Sequence, residues 1–327
     1  MAGTTIPKSS AKPLRLAVLD TGRMGEDFAS LSLAAPEDFE SLPGQLLNIR
    51  AAADWDEMTA HAGQPADIED AWPRLRGEEI TEPRPLVSRP LSIARVWRDD
   101  AGRKRIELVF RIVGKGTRFL AARRPGDVLD AVGPLGNHFS ILPGDTREAV
   151  LVAGGCGIAP MTALAEKLKA ARRSVVCILG CKSIGNMPAN LSQPVLPHGE
   201  KLEATSAVRE FSQFGFSTLL STDDGTAGYH GLATDVLEKY LCSVESPADD
   251  LVIYCCGPHP MMKPVARMAI ERGIFCEVSL EEYMGCGIGV CLSCACKVRD
   301  ETKGEGWTHR LTCTDGPVLR ADEIIWE

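Results

Sequence analysis

The sequence predicts a β-barrel plus α/β architecture: an antiparallel barrel, then a doubly wound parallel sheet with helices, then a small cysteine-bearing subdomain at the carboxyl end. Three observations predict it. Up to about residue 146 the chain carries short strand-like runs separated by Pro, Gly and Asp turns, the pattern of antiparallel β-structure. From residue 149 onward apolar runs alternate with helical patterns, which implies parallel strands joined by crossover helices. Beyond residue 284, Cys286, Cys291, Cys294, Cys296 and Cys313 crowd into a glycine-rich segment.

Composition narrows the function classes. A chain of 327 residues is long enough for two domains and an appendage. Its 44% hydrophobic and 24% charged content is that of an ordinary globular protein. A net charge of -8 argues against general binding to nucleic acid or anionic membrane. The polar amino terminus, MAGTTIPKSSAKP, lacks the apolar core of a secretory signal, and no apolar run approaches the roughly 18 residues of a membrane span. Twelve cysteines in such a chain point to a reducing cytoplasm and to metal ligands rather than a disulfide framework.

Taken in order, residues 1–13 are expected to be a disordered tail and 14–146 the barrel, with strands at 14–19, 30–34, 45–51, 91–97 and 105–113. Residues 54–82 are polar, acidic and poor in β-branched side chains, and are expected to form a surface insert. Two pieces of the barrel stand out. Arg89-Pro90-Leu91-Ser92 opens a strand, where a guanidinium and a hydroxyl suit a diphosphate and a ring edge, although Arg-Pro before a strand is also a plain strand start. Gly114-Lys115-Gly116-Thr117 precedes a helical stretch at 118–124 and offers amides to an anion, while helix capping by Thr117 accounts for it equally.

The α/β domain is expected over 147–275. Its first strand, 149–153, breaks into Gly154-Gly155-Cys156-Gly157-Ile158-Ala159-Pro160, and Met161, Leu164, Ala165 and Leu168 fall on one face of the helix that follows. Strand, glycine turn and helix make a phosphate cradle, here without the strict dinucleotide fingerprint. Strands at 174–179, 216–221 and 251–255 and helices at 201–214 and 232–241 continue the alternation. Cys256, Gly257 and Pro258 follow the last of these strands, where residues of a doubly wound sheet face the ligand crevice, so Gly257 and Pro258 should border a nicotinamide. Lys182, just past the second strand, is placed to meet a ribose phosphate. The stripe of Met261, Met262, Val265, Met268 and Ala269 reads as core packing, and His259 as a loop or helix-start residue.

The last expected unit, 276–327, contains Cys286, Cys291 and Cys294 spaced C-x4-C-x2-C, with Cys313 one short hairpin later. That is plant-type spacing for a 2Fe-2S cluster, whose irons take four thiolates. Gly285, Gly287 and Gly289 let the backbone curl and bring amides toward sulfur. A four-thiolate zinc site is the rival, but it usually comes as two short-spaced pairs and Cys313 has no such neighbour. Cys296, two residues from Cys294, competes with it as a ligand; only Cys294 gives the plant-type spacing.

Together RPLS, GKGT, GGCGIAP, CGPHPMM and SLEEYMGCGIGVCLSCAC followed by CTDGPV resemble the ferredoxin reductase superfamily, and within it the electron-transfer subunits of NAD-dependent dihydroorotate dehydrogenase. The resemblance implies FAD at the barrel, held by Arg89, Pro90, Leu91 and Ser92, by Val109, Phe110 and Arg111, and by Gly116 and Thr117. It implies NAD at the α/β domain and a 2Fe-2S cluster on Cys286, Cys291, Cys294 and Cys313. It further implies a separate FMN-containing catalytic subunit that oxidises dihydroorotate, a heterotetramer, and a place in pyrimidine biosynthesis. Residues 221–231 resemble the family's loop beside the nucleotide crevice. Because a flavin converts hydride into single electrons, no general acid or base is expected, and no catalytic residue is assigned. The alternative partner for the same cofactors is a ferredoxin, sulfide or hydrogenase complex; a redox-sensing regulator is the alternative outside enzymes.

Overall fold

The computed structural model describes residues 11–50, 88–141, 147–244 and 248–326. Six antiparallel strands close the barrel: β1 (Lys12–Met24), β2 (Phe28–Ala34), β3 (Leu46–Ile49), β4 (Arg89–Arg98), β5 (Lys104–Arg111) and β6 (Val128–Leu135), in the order β1-β2-β5-β4-β3-β6. Alternation along each strand buries Leu16, Val18, Leu31, Leu47, Ile49, Ile106, Leu108 and Phe110 in the barrel interior. β1 closes the ring because it is long enough to serve two neighbours. Its first half, from Lys12 to Ala17, pairs with β6, and its second half, beyond an irregularity at Val18, pairs with β2.

Two expectations for this half need correction. β1 begins at Lys12, inside the stretch expected to be tail. β6 was not anticipated from the sequence, since its inward positions are small at Ala131 and Gly133 and a proline follows, so the apolar alternation is faint. The helix expected at 118–124 is α1 (Lys115–Ala121), which starts at the glycine turn itself. The expected insert at 54–82, and the final residue of the strand expected at 45–51, lie outside the described residues.

The parallel sheet contains β7 (Glu148–Gly154), β8 (Val175–Cys181), β9 (Pro197–Gly199), β10 (Ala204–Thr205), β11 (Thr218–Thr222), β12 (Gly228–His230), β13 (Leu251–Cys256), β14 (Phe275–Ser279) and an antiparallel edge strand, β17 (Val318–Arg320). Its path is β17-β14-β13-β7-β8-β11-β12-β9, with β10 paired antiparallel to β11. The chain leaves β7 toward β8 and later returns to β7's other side as β13. The carboxyl ends of β7 and β13 therefore form the topological switch point, where such sheets open a crevice. α2 (Ile158–Ala170), α4 (Ala233–Ser243) and α5 (His259–Glu271) cover the faces as expected.

The helix expected at 201–214 is not one. That stretch holds β10, then a single turn, α3 (Arg209–Ser212). Ala204 and Thr205 pair with Leu219 and Thr218, the Thr205 hydroxyl accepts the Ala207 amide, and Val208 bridges to Leu191. Sheet pairing and a side-chain turn outcompete a helix through these residues, two of them β-branched.

The third unit is continuous with the sheet. β14 belongs to it although the subdomain was expected from residue 276, and β15 (Ala295–Arg299) with β16 (Trp307–Leu311) forms a hairpin beside it. The barrel and the sheet share a core too: Met24, Phe28, Ala94 and Val109 pack with Ile158, Met161 and Leu164 of α2.

Candidate functional site

On the barrel, strand pairing decides which of the expected residues face outward. β3 and β4 pair Leu47 with Leu91 and Asn48 with Pro90; Leu47 lies in the barrel core and Leu91 packs against it, so Pro90, Ser92 and Asn48 share the outer face. Arg89 lies across the first turn of α1, where a Cβ at Gly116 would stand 2.7 Å from its Nε. Gly116 thus brings the two barrel motifs together by lacking a side chain. The Thr117 hydroxyl accepts the amides of Val113 and Gly114 at 3.0 and 3.1 Å, so it locks the turn internally. Among the three residues of β5, Phe110 points into the barrel, Val109 packs in the core shared with α2, and only Arg111 reaches the surface, paired with Asp27 at 3.1 Å. Phe110 therefore offers a cofactor its backbone alone.

Arg111 also lines a cleft of about 330 Å³ at the switch point. Gly154, Gly155, Pro258 and Met261 line it; Met261 also packs against the core that buries Met262, Val265, Met268 and Ala269, as expected of the stripe. Gly155 has φ +54, a conformation that costs glycine little. Gly157 and Cys256 do not line the cleft but build its wall: a Cβ on Gly157 would fall 1.9 Å from the Cys256 carbonyl oxygen. Lys182 and Asp223 both line the cleft, where burial raises the pKa of Asp223 and the Lys182 charge opposes that rise. Sequence reasoning missed Asp27 and Phe28, which reach the cleft from the barrel, and Cys181, which ends β8, whereas Asp223, one residue past β11, falls in the 221–231 stretch expected beside the crevice. The end-of-strand position was the signal available for Cys181. Behind the cleft, burial pushes the Cys156 thiol up to about 12, with Glu281 reinforcing the shift. Burial likewise raises Glu281, against the pull of His259 and Arg111. His259 starts α5, as expected, and its Nε2 meets Glu282 Oε1 at 2.9 Å.

The cysteine loop folds around sulfur. Amides of Ile288, Val290 and Cys291 donate to Cys286 Sγ at 3.4, 3.3 and 3.4 Å. Gly287 and Gly289 have φ +69 and +82, the turns that aim those amides inward. Ser293 Oγ stands 3.2 Å from Cys291 Sγ, and hydrogen bonding from Ser293, then from Cys286, lowers the Cys291 thiol to about 6. Cys313 is buried and interacts side chain to side chain with Cys294; burial first and Cys294 second push it up to about 12. Cys291 thus interacts with Cys286, and Cys313 with Cys294 and, more weakly, with Cys286. Among the described residues no three His, Cys, Asp or Glu side chains are grouped closely enough to hold a metal ion. Cys296 turns away: its thiol donates to the Arg310 carbonyl at 3.5 Å and packs with Val298, Ala321 and Ile324.

Comparison with known proteins gives this arrangement its relatives. Residues 281–325 match the iron-sulfur cluster binding domain of dihydroorotate dehydrogenase B, and residues 151–267 match the oxidoreductase NAD-binding domain. The dihydroorotate dehydrogenase B (NAD(+)) electron transfer subunit of Caldanaerobacter subterraneus subsp. tengcongensis is 33% identical over 241 residues, 74% of this chain and 82% of that protein. Its counterpart in Geobacillus kaustophilus is 36% identical over 243 residues, 74% of this chain and 81% of the relative.

The chain belongs to this family of electron-transfer subunits.

As an electron-transfer subunit of NAD-dependent dihydroorotate dehydrogenase B, it is an oxidoreductase component with an iron-sulfur binding region and an NAD-binding region. Among solved structures, that of an NADH-dependent reduced ferredoxin-NADP oxidoreductase superposes with TM-score 0.67 and 25% identity over 100% of this chain and 92% of the other. A ferredoxin NADP+ reductase from Neisseria gonorrhoeae with bound FAD and NADP superposes with TM-score 0.52 at 15% identity, covering 81% of this chain and 92% of the other, and shares the fold. The donor set of the electron-transfer subunit suits an iron-sulfur group: soft thiolates, with backbone N–H donors on a ligand sulfur. No helix among the described residues is long and apolar enough to cross a membrane.

Proposed function

We propose that this subunit carries FAD on the outer face of the barrel, NAD in the cleft and a 2Fe-2S cluster on Cys286, Cys291, Cys294 and Cys313, and that it passes electrons from an FMN-containing, dihydroorotate-oxidising partner to NAD+. The observation that carries the reading is the loop folded around Cys286 Sγ, which takes the amides of Ile288, Val290 and Cys291 at 3.3–3.4 Å, as the ligand sulfurs of iron-sulfur groups do. When bound, the flavin supplies the exchange between hydride and single electrons.

The chain's residues supply position and field. Arg89, lying over Gly116, offers a guanidinium to a diphosphate, and Pro90 and Ser92 border a ring on the same face. Val109, Phe110 and Arg111 contribute backbone edge, with Arg111 closing the cleft from the barrel side. The first turn of α1, with Gly116 and Thr117, frames the same face. Gly154, Gly155 and Pro258 seat the nicotinamide half of NAD, supported from behind by Gly157, Cys256 and Gly257. The division of labour is 14–146 for flavin, 147–275 for NAD and 276–327 for the cluster. All twelve cysteines are free thiols, which supports a reducing cytoplasmic setting. The partner assembly is a heterotetramer built on a catalytic dimer, serving pyrimidine synthesis.

Anaerobic co-expression with an FMN-type dihydroorotate dehydrogenase subunit, followed by an assay of dihydroorotate-driven NAD+ reduction, tests the proposal. Turnover only when both chains are present is the expected result. Activity with reduced ferredoxin and none with dihydroorotate would instead favour the second reading, to which the full-length likeness to the ferredoxin-NADP oxidoreductase gives support.

A further inference from the structure

A buried amide joins the barrel to the cysteine loop. Asn48 lies on the outer face of β3, yet it is only 6% exposed because the loop covers it. Its Nδ2 donates to the carbonyl oxygen of Cys286 at 2.6 Å. Gly287 lies against the same carboxamide, since a Cβ there would meet Asn48 Nδ2 at 2.9 Å and Cγ at 3.0 Å. Asn48 is the cross-strand partner of Pro90, so it also abuts the strand to which flavin is assigned. Its Oδ1 is buried without a hydrogen-bond partner among the described residues. Leaving such an acceptor unmade costs about 1–3 kcal/mol, so an apolar residue would serve packing alone better.

We infer that Asn48 is a positioning residue for electron transfer between flavin and cluster: by holding the backbone of a cluster ligand against the flavin-bearing strand, it fixes the separation and orientation of the two centres. The inference rests on the cofactor assignment proposed above. The amide N–H group withdraws density from the carbonyl of a ligand residue, so it also tunes the cluster. Neither role needs Asn48 to touch NAD.

Asn48→Leu removes the donor at similar volume, and Asn48→Asp removes it at the same shape while adding negative charge. Both are compared with the unaltered holoprotein under anaerobic conditions, with NADH as reductant and the oxidised cluster as one-electron acceptor. Flavin reduction by NADH is followed by bleaching, cluster reduction by its visible and paramagnetic signals, and the cluster potential by redox titration. The expected result is unchanged flavin bleaching, cluster reduction slowed roughly ten-fold in both variants, and a cluster potential lower in Asn48→Asp than in Asn48→Leu. Rates and potentials equal to those of the unaltered protein overturn the inference, as do an equal slowing of flavin bleaching or loss of the cluster from both variants, which would make Asn48 a residue of the fold alone. Absence of flavin or cluster from the unaltered protein would instead sink the cofactor assignment.

Discussion

Gly157→Ala tests whether the wall of the cleft, rather than its lining, governs nucleotide binding. The added Cβ would stand 1.9 Å from the carbonyl oxygen of Cys256 and 2.8 Å from the amide of Gly257, both backbone atoms with no rotamer to escape into. Relief to an ordinary contact of 3.4 Å forces the turn and the end of β13 apart by about 1.5 Å, the difference between those distances. Overpacking of this kind costs about 1–3 kcal/mol, and here the upper end applies because backbone must move. The displaced segment carries Gly257, where a Cβ would stand 3.1 Å from Gly154 O, and then Pro258, which lines the cleft. Misplacing a positioning group by an ångström costs on the order of a hundred-fold in rate, so kcat/KM for NADH should fall by about ten- to a hundred-fold. NADH oxidation with an artificial acceptor reads this, with cluster absorbance as the internal control for folding. An unaltered kcat/KM in protein that retains its cluster would refute the reasoning.

Three further outcomes follow from the site. Cys291→Ser should abolish the cluster's visible absorbance and partner-linked turnover while NADH still bleaches flavin, measured by anaerobic stopped flow; loss of bleaching as well would contradict separate seats for the two centres. NADH should be preferred over NADPH because the Asp223 carboxylate lines the cleft, and Asp223→Asn should improve kcat/KM for NADPH by about ten-fold by removing like-charge repulsion, with Lys182 left to meet the extra phosphate. Glu107 pairs across strands with Arg95, and burial first, then the Glu210 carboxylate, raises its pKa. A carboxyl that holds its proton more tightly in the folded chain costs nothing below the ordinary carboxylate range, where both states are protonated, and costs most above its folded pKa. Glu107→Gln should therefore raise Tm at neutral pH and give no gain in acid; an equal gain at both would show that the charge is not the cause.

The sequence by itself determined what short-range rules dictate. Cysteine spacing set the ligand loop, because the residues between two ligands fix how far apart their sulfurs can lie. The turn at Gly154 and Gly155 announced the switch point, since an apolar strand breaking into glycines before a helix has few other uses. Strand alternation predicted a barrel, though β6 stayed hidden because Ala131 and Gly133 carry too little apolar bulk to mark an inward face.

Only the tertiary structure decided which side chains meet. Register turned Phe110 into the barrel and Arg111 out to the cleft, and one residue's slip would exchange them. Sheet pairing with β11 reduced residues 201–214 to a strand and one turn of helix. Asp27 and Phe28 reach the cleft because the barrel shares a core with α2, and Asn48 lies beneath Cys286, 238 positions away. Such encounters depend on how whole sheets pack, and local propensity carries no term for that.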